Sequence, residues 1–238
     1  MPYKVFNADE AATYLHVPRQ ALDRLVKNKE IPFQTQAGRT VFTRYDIDAW
    51  ASQRILRLSG SNLDDYHRVA TKGSRPEAEN QAIMPDLIAT EWIAPDLAAR
   101  TSSGVLRDMV QLAERSQKVC DSRQLLQLLE EREQLCPTSV PGGLALLHPR
   151  HHTPFMFMES FIAVGRTRSG VPYGAPDGGL TDLFFLVCCK DDRSHLHTLA
   201  RLCAMCQKTD LLPGLRAASS AAEIAAVIVK SEKDLLKV

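Results

Sequence analysis

The segment that decides the fold reads Pro141-Gly-Gly-Leu-Ala-Leu-Leu-His148-Pro-Arg-His151. Its four apolar residues, 144–147, predict a short buried strand, because a brief apolar run bounded by glycine and proline is typical of a strand inside a sheet. The strand ends at His148. A histidine in that position, beside a permissive backbone, can present a ring nitrogen to a visiting group. The segment therefore predicts a buried strand that ends in a reactive side chain.

Outward from this strand, residues 86–238 alternate between helical and strand patterns. Further strands are predicted at 161–165 and 183–189, where short apolar runs recur. Helices are predicted at about 103–116, after Asp121, at about 194–207, and from the capping-box spacing of Ser220 and Glu223 onward. Strands interleaved with helices predict an α/β domain with a central mixed sheet covered by helices.

The first 58 residues follow a different pattern, that of a small, mainly α-helical unit with a hairpin wing. The predicted elements are a helix capped by Asn7 and ending near Leu15, a helix from Arg19 to about Asn28, strands at 33–36 and 40–43 around the hairpin tip Ala37-Gly-Arg39, and a helix capped by Asp46. Such an arrangement can dock on DNA, with its second helix in the major groove and its wing at the phosphates. The candidate DNA-binding residues are Arg19, Gln20, Arg24 and Lys27 in the second helix, with Arg39 and Arg44 in the wing.

Charge and composition narrow the class of protein. The whole chain has a net charge of +1, whereas residues 1–58 hold nine Lys and Arg against six Asp and Glu, so the basic excess is local. The longest clean apolar run, 183–189, is far too short to span a bilayer, and the first residues show no signal-peptide core. Four of the six cysteines lie in apolar segments, which argues against a secreted disulfide framework. We therefore expect a cytoplasmic protein without membrane insertion.

Residues 59–85 are polar and rich in turn-forming residues, which is typical of a linker. The chain is therefore predicted to consist of a winged helix-turn-helix domain at 1–58, a linker at 59–85 and the α/β domain at 86–238.

The N-terminal segments resemble a known family. The segments that carry the resemblance are Asn7-Ala-Asp-Glu-Ala-Ala12, Leu15-His-Val-Pro18, Gly38-Arg-Thr40 and Arg44-Tyr-Asp-Ile-Asp-Ala-Trp50. Together they resemble the excisionase-like, MerR-related winged helix-turn-helix family over about the first 57 residues. The resemblance implies that the helix at 19–29 is the recognition helix. The alternative is a three-helix interaction module that has lost contact with DNA.

The C-terminal segments resemble a second family. The segments are Glu131-Arg-Glu133 with Pro137-Thr138, Gly142 to Pro149, Ala175-Pro-Asp-Gly178, and Ser194 to Leu202. In this order they resemble the enzyme IIA domain of the fructose–mannitol type in the bacterial phosphotransferase system, which includes the nitrogen-regulatory IIA proteins. Two positions depart from the family pattern: Leu147 stands where proline is common, and residues 139–142 replace a common Gly-Ile-Gly.

This second resemblance implies a set of roles. It makes His148 the phosphoryl acceptor, His195 the second active-site histidine, and Arg132 and Thr138 the supporting arginine and hydroxyl. Neutral imidazole is a good nucleophile near physiological pH, and a nearby arginine can neutralise phosphoryl oxygens. The implied partners are the phosphohistidine carrier HPr, or its nitrogen-branch homologue, and a IIB domain as an onward acceptor.

Several interpretations follow from these residues. The leading one is a DNA-binding regulator whose IIA-like domain accepts a phosphoryl group on His148. The alternatives are a phosphoryl carrier in sugar uptake and a IIA-like docking module that is not phosphorylated, so whether the chain is an enzyme stays open. A minor interpretation is a metal site among the five histidines His148, His151, His152, His195 and His197, but no ligand spacing recurs and we predict neither metal nor cofactor. A small winged module usually needs a dimer or a second site for useful affinity, which is compatible with a homo-oligomer.

Overall fold

The computed structural model of the chain describes residues 5–15, 17–58, 60, 63, 66, 82–149 and 155–236. The N-terminal unit consists of β1 (Val5–Phe6), α1 (Ala8–Tyr14), α2 (Arg19–Lys27), β2 (Gln34–Gln36), β3 (Arg39–Thr43) and α3 (Arg44–Arg57). Its strands form an antiparallel sheet in the order β1-β3-β2. Ala37 and Gly38 join β2 to β3 with φ values of 49° and 74°, the left-handed backbone that a two-residue hairpin turn requires. The predicted wing is therefore present.

Caps explain where the first and third helices begin. Asn7 caps α1 as predicted: its side chain accepts hydrogen bonds from the backbone amides of Asp9 and Glu10, and the Glu10 carboxylate accepts one from the backbone amide of Asn7. The predicted cap of α3 was wrong. Thr43, at the extended end of β3, accepts a hydrogen bond from the Asp46 amide, so the helix follows the strand directly and Asp46 lies in its first turn.

The second unit is a layered α/β structure. Its elements are α4 (Met84–Leu87), a 3-10 turn (Thr90–Trp92), β4 (Ile93–Leu97), α5 (Ser102–Glu114), α6 (Ser122–Leu135), β5 (Ser139–Val140), β6 (Leu144–Leu147), β7 (Phe161–Val171), β8 (Thr181–Cys188), α7 (Asp192–Lys208), α8 (Leu211–Ala217) and α9 (Ala221–Leu236). The sheet order is β4-β7-β8-β6-β5. The pairs β4–β7 and β6–β8 are parallel, whereas β7–β8 and β5–β6 are antiparallel. The predicted mixed sheet covered by helices is confirmed.

Helices cover both faces of this sheet. On β8, Phe184 and Leu186 pack in an apolar cluster with residues of α5 and α6. Phe185 and Val187, which point to the opposite face, pack in a second cluster with residues of α7 and α9. The central strands are therefore buried on both sides, as is typical of strands with parallel neighbours.

The N-terminal unit joins the second of these clusters. Phe42 and Ile55 belong to the same continuous apolar cluster as Leu199 of α7, and α3 packs against α7 and β5. Leu63, inside the predicted linker, is fully buried in that cluster. The two units thus share one apolar core. The boundaries of the linker stay a prediction, because most of that segment lies outside the described residues.

A buried ion pair fixes the point where the chain enters the second unit. Arg201 of α7 and Glu232 of α9 are both fully buried, with the guanidinium Nη1 3.0 Å from the carboxylate. The same carboxylate accepts hydrogen bonds from the backbone amides of Ile83 and Met84, each at 2.9 Å. A buried charge is tolerated when it is paired and hydrogen-bonded in this way. Among the described helices we find none with the length and apolar character needed to cross a bilayer.

Candidate functional site

His148 lies directly after β6, and the structure fixes the orientation of its ring. Parallel pairing of β6 with β8 ends at Leu147 and Leu186, so His148 sits at the C-terminal end of an interior strand. Its Nδ1 lies 2.8 Å from the carbonyl oxygen of Leu146. Because a carbonyl oxygen can only accept a hydrogen bond, Nδ1 carries the ring hydrogen. The other nitrogen, Nε2, therefore keeps its lone pair.

Arg132 faces that lone pair. It lies near the end of α6, its side chain is buried, and its Nε donates a hydrogen bond to His148 Nε2 at 3.1 Å. Its Nη1 donates a second hydrogen bond to the carbonyl oxygen of Cys136 at 2.6 Å. These two hydrogen bonds from one planar guanidinium group hold the cation in a defined position beside the imidazole ring. A positive charge is thus positioned at the nitrogen that can act as a nucleophile.

His195 stands on the other side of His148. It belongs to the first turn of α7, whose N-cap Asp191 accepts a hydrogen bond from the Ser194 amide at 2.8 Å. The ring centroids of His195 and His148 are 4.9 Å apart, with a tilt of 54° between the ring planes. The Nε2 atom of His195 lies 3.4 Å from the hydroxyl oxygen of Ser52, in α3 of the N-terminal unit. The site therefore contains side chains from both units.

Thr138 borders this group through its backbone, whereas its hydroxyl has another partner. Its carbonyl oxygen accepts a hydrogen bond from the Leu146 amide at 3.1 Å, beside the strand that leads to His148. Its hydroxyl donates to the Glu133 carboxylate, and its amide donates to the same carboxylate at 3.1 Å. Burial raises the pKa of Glu133, and the hydrogen bonds from Thr138 oppose that rise. The structure thus brings His148, His195 and Arg132 together and directs the Thr138 hydroxyl toward Glu133.

Two residues of this site were not assigned by the sequence patterns. Ser52 is 143 positions from His195, and nothing in the local pattern of α3 indicates that contact. Glu133 was visible as part of the Glu131-Arg-Glu133 segment, but its role as the acceptor for Thr138 follows only from their proximity in space.

The predicted DNA-binding residues fall into two groups. Gln20, Arg24 and Lys27 are exposed at helical spacing on one side of α2, and Arg39 is exposed beside the hairpin turn. These four residues present polar and basic atoms to the outside, as a recognition helix and a wing do.

The other two predicted DNA-binding residues are engaged within the N-terminal unit. Arg19 forms ion pairs with Asp9 at 2.6 Å and with Asp23 at 3.0 Å. Arg44 lies 3.8 Å from the Asp48 carboxylate, and its guanidinium is 6.0 Å from the centre of the Tyr14 ring. Contact with DNA would compete with these interactions.

No group of three or more His, Cys, Asp or Glu side chains suited to a metal ion occurs in the part of the chain that the structure describes. His151 and His152, which the minor metal interpretation included, lie outside the described residues. The described cysteines are free, and burial raises the pKa of Cys203 to about 12, which disfavours the thiolate that binds metals.

Comparison with known proteins gives two family matches. Residues 86–231 match the family described as phosphoenolpyruvate-dependent sugar phosphotransferase system, EIIA 2. Residues 5–55 match a helix-turn-helix domain family. The fructose-specific EIIABC component of Bacillus subtilis is 24% identical over 152 residues, which are 63% of this chain and 24% of that protein. The chain therefore spans about a quarter of the length of this relative.

Two solved structures share the fold of the second unit. The nitrogen regulatory protein IIA-Ntr from Neisseria meningitidis is 24% identical, with a TM-score of 0.56 over 62% of this chain and 99% of that chain. The mannitol enzyme IIA of Escherichia coli, solved in complex with phosphorylated enzyme IIB, is 15% identical, with a TM-score of 0.53 over 60% of this chain and 97% of that chain. At these identities the likeness establishes the fold.

Proposed function

Because the chain belongs, through residues 86–231, to the phosphoenolpyruvate-dependent sugar phosphotransferase system EIIA 2 family, we propose that His148 accepts a phosphoryl group from a phosphohistidine carrier of the HPr type. The observation that carries this proposal is the hydrogen bond from His148 Nδ1 to Leu146, which leaves the Nε2 lone pair as the nucleophile. A neutral, oriented imidazole is what phosphoryl transfer between histidines requires.

The proposed step is an in-line displacement at phosphorus. His148 Nε2 forms the new N–P bond while the bond between phosphorus and the carrier's histidine breaks. The carrier's ring leaves as a neutral imidazole, since its other nitrogen keeps its proton, and His148 keeps its own proton on Nδ1. The N–H group at Nδ1 keeps its hydrogen bond to the Leu146 carbonyl oxygen throughout, and this hydrogen bond stabilises the positive charge on the phosphorylated ring.

Arg132 and His195 would stabilise the phosphoryl group. Arg132 now donates to Nε2, so on transfer its guanidinium would turn its donors to the incoming oxygens. His195, 4.9 Å away between ring centroids, can donate to another oxygen of the same group. Preorganised donors at developing charge commonly account for one hundred-fold or more in rate. The contact between Glu133 and Thr138 would hold the backbone beside β6 in place.

For the N-terminal unit we propose DNA binding through α2 and the wing. Arg24 and Lys27 are exposed on the same side of α2, and the match to a helix-turn-helix family covers residues 5–55. Together the two units describe a cytoplasmic regulator that reads phosphotransferase status. The presence of the helix-turn-helix unit favours this role over that of a plain carrier in sugar uptake, for which a IIB domain would be the onward acceptor.

The test is phosphorylation of the full chain. Purified protein is incubated with phosphoenolpyruvate, enzyme I and HPr, and intact-mass spectrometry follows the gain of one phosphoryl group. We expect acid-labile phosphorylation of the wild type, none of the His148→Ala variant, and slower uptake by the His195→Ala variant. His197→Ala, in the same helix as His195, is the matched control and should keep the wild-type rate. Phosphorylation of His148→Ala at the wild-type rate would reject the assignment.

A further inference from the structure

The histidine pair is closed off from any protein partner in this structure. The exposed fraction is 1% for His148, 2% for Arg132 and 5% for His195. A carrier protein must bring its own phosphohistidine into line with His148 Nε2, which requires direct access to that nitrogen. The closed arrangement therefore cannot accept a phosphoryl group from another protein.

Helix α3 of the N-terminal unit covers one side of this pair. Ser52, itself 5% exposed, reaches the Nε2 atom of His195 at 3.4 Å. Around it, α3 packs along α7 and against β5, the two elements that flank the histidines. The side of α3 that carries Ser52 therefore faces the part of the α/β unit where His195 and His148 lie together.

Two further contacts hold the end of α3 at the border of this face. The guanidinium Nη2 of Arg57 lies 3.6 Å from the sulfur of Cys136, the residue whose carbonyl oxygen fixes Arg132. The side-chain amide of Gln207, in α7, donates to the carbonyl oxygen of Leu58 at 2.9 Å. Both contacts are polar and lie at the border of the interface, whose centre is apolar because α3 belongs to the same buried cluster as α7. An apolar centre with a polar border is typical of a junction between separate protein partners.

We propose that α3 is a removable cover of the histidine pair, and that the winged unit and a phosphocarrier exclude each other on this face. The identity of the carrier rests on the proposed function, whereas the cover rests on the contacts of Ser52, Arg57 and Leu58. A phosphoryl group on His148 adds bulk and negative charge inside a space that α3 now closes. Phosphorylation and docking of α3 are then coupled, so that each weakens the other by the same factor.

The cover has a distinct consequence for the recognition helix. Gln20, Arg24 and Lys27 on α2 are exposed while α3 is docked, so the closed form leaves the proposed DNA surface accessible. Release of α3 therefore changes where the α/β unit stands relative to bound DNA and does not uncover the recognition helix.

The cover also sets the rate of phosphorylation. That rate equals the intrinsic rate of the open form multiplied by the fraction of molecules in which α3 is released.

The experiment measures histidine accessibility in the full chain, independently of any phosphotransfer. Ser52→Arg places a long cation in the buried space between α3 and His195, so it should force α3 off this face. Ser169→Arg, at an exposed position of β7, is the matched control. Diethyl pyrocarbonate modifies neutral imidazole, and peptide mapping reports its rate at each histidine. We expect the modification rates of His148 and His195 to rise at least tenfold in Ser52→Arg, while the rate of His197 in that variant stays at the wild-type value. In the Ser169→Arg variant the rates of all three histidines should equal those of the wild type.

A second variant and a second readout keep the result decisive. Arg57→Ala removes only an edge contact, leaves the apolar core intact, and should raise the same rates about twofold to threefold. Equal modification of His148 in the wild type, Ser52→Arg and Arg57→Ala would overturn the cover.

Phosphoryl uptake from HPr is then measured on the same samples. Faster uptake by Ser52→Arg supports exclusion of the carrier by α3, and an unchanged rate with opened histidines contradicts it. If no sample takes up phosphate, the proposed function fails and exclusion of this carrier fails with it, while the modification rates still decide the cover.

Discussion

The histidine pair and the exposed side of α2 are built in opposite ways. His148 and Arg132 are buried, and each has side-chain hydrogen bonds that set its position to within a narrow range. Arg24 and Lys27 are exposed on α2. The first region suits the proposed phosphoryl transfer, because its atoms are held in place before a substrate arrives. The second can attract a polyanion with flexible charges that need no fixed geometry.

This difference sets the size and the kind of effect that a substitution should have. In the buried region one side chain determines the orientation of the next, so a single change disturbs the whole group. On the exposed helix each charge contributes a small, nearly independent amount that salt weakens.

Arg132→Ala should lower the rate of phosphoryl uptake by about one hundred-fold, because it removes a preorganised cation from the reacting nitrogen. Arg132→Lys should recover only part of that loss, since an ammonium cannot reproduce the two bonds to His148 and the Cys136 carbonyl. Intact-mass time courses provide the rates, and thermal unfolding checks that each variant is folded. Arg123→Ala, at an exposed position of the same helix, is the control, and equal rates for Arg123→Ala and Arg132→Ala would contradict the proposed role.

Asp48→Asn tests a buried carboxyl group in the N-terminal unit, the unit that also carries the exposed charges of α2. Burial raises the pKa of Asp48 to about 6, and hydrogen bonding from Tyr14 and the charge of Arg44 only partly oppose it. The folded state then holds more protons than the unfolded state between about pH 4 and pH 6, so the free energy of unfolding falls as the pH rises through that window.

The asparagine variant lacks that dependence. Relative to the wild type, its free energy of unfolding should rise by roughly 2 kcal/mol between pH 4 and pH 7. Urea denaturation at the two pH values measures the difference. The same substitution at Asp234, which is exposed, should leave the wild-type pH profile unchanged. If the free energies of unfolding of the wild type and of Asp48→Asn change with pH in parallel, burial of the Asp48 carboxyl group does not make stability depend on pH.

The smallest effects are expected on DNA binding. Arg24→Ala and Lys27→Ala should each reduce the slope of log affinity against log salt by about one unit, as the loss of one phosphate contact does. Arg19→Ala should reduce it less, because Arg19 is already paired with Asp9 and Asp23. Fluorescence anisotropy of the full chain on a mixed-sequence duplex gives these slopes, with the exposed Lys230→Ala as control. Failure of the wild type to bind any duplex at low salt would favour the protein-interaction alternative.

Local signals in the sequence predicted much of this molecule. The Asn7 cap, the hairpin at Ala37 and Gly38, and the strand before His148 each depend on neighbours a few residues away, so the sequence pattern was sufficient. The IIA resemblance was confirmed by the family match over residues 86–231. The roles of the four site residues and the domain boundaries stay predictions.

Features that depend on distant partners were missed. β4 contains Pro95 and Asp96, which weaken a strand pattern, and it forms only because it pairs with β7 at the edge of the sheet. The start of α3 was misplaced because Thr43 also ends a strand. The contact of Ser52 with His195 joins residues 143 positions apart, and no periodicity within α3 could indicate it.

The buried carboxylate of Glu232 also has a consequence for how the molecule is made. The backbone amides that it binds, at Ile83 and Met84, leave the ribosome first, and the carboxylate follows 149 and 148 positions later. At about 5–20 residues per second, that interval is roughly 7–30 s. For most of this time a nascent chain has its helix-turn-helix unit but not the α7 surface that α3 covers, and the anchor in α9 follows last. The apolar side of the newborn N-terminal unit is therefore open to chaperones and to neighbouring nascent chains until α7 and α9 have been translated.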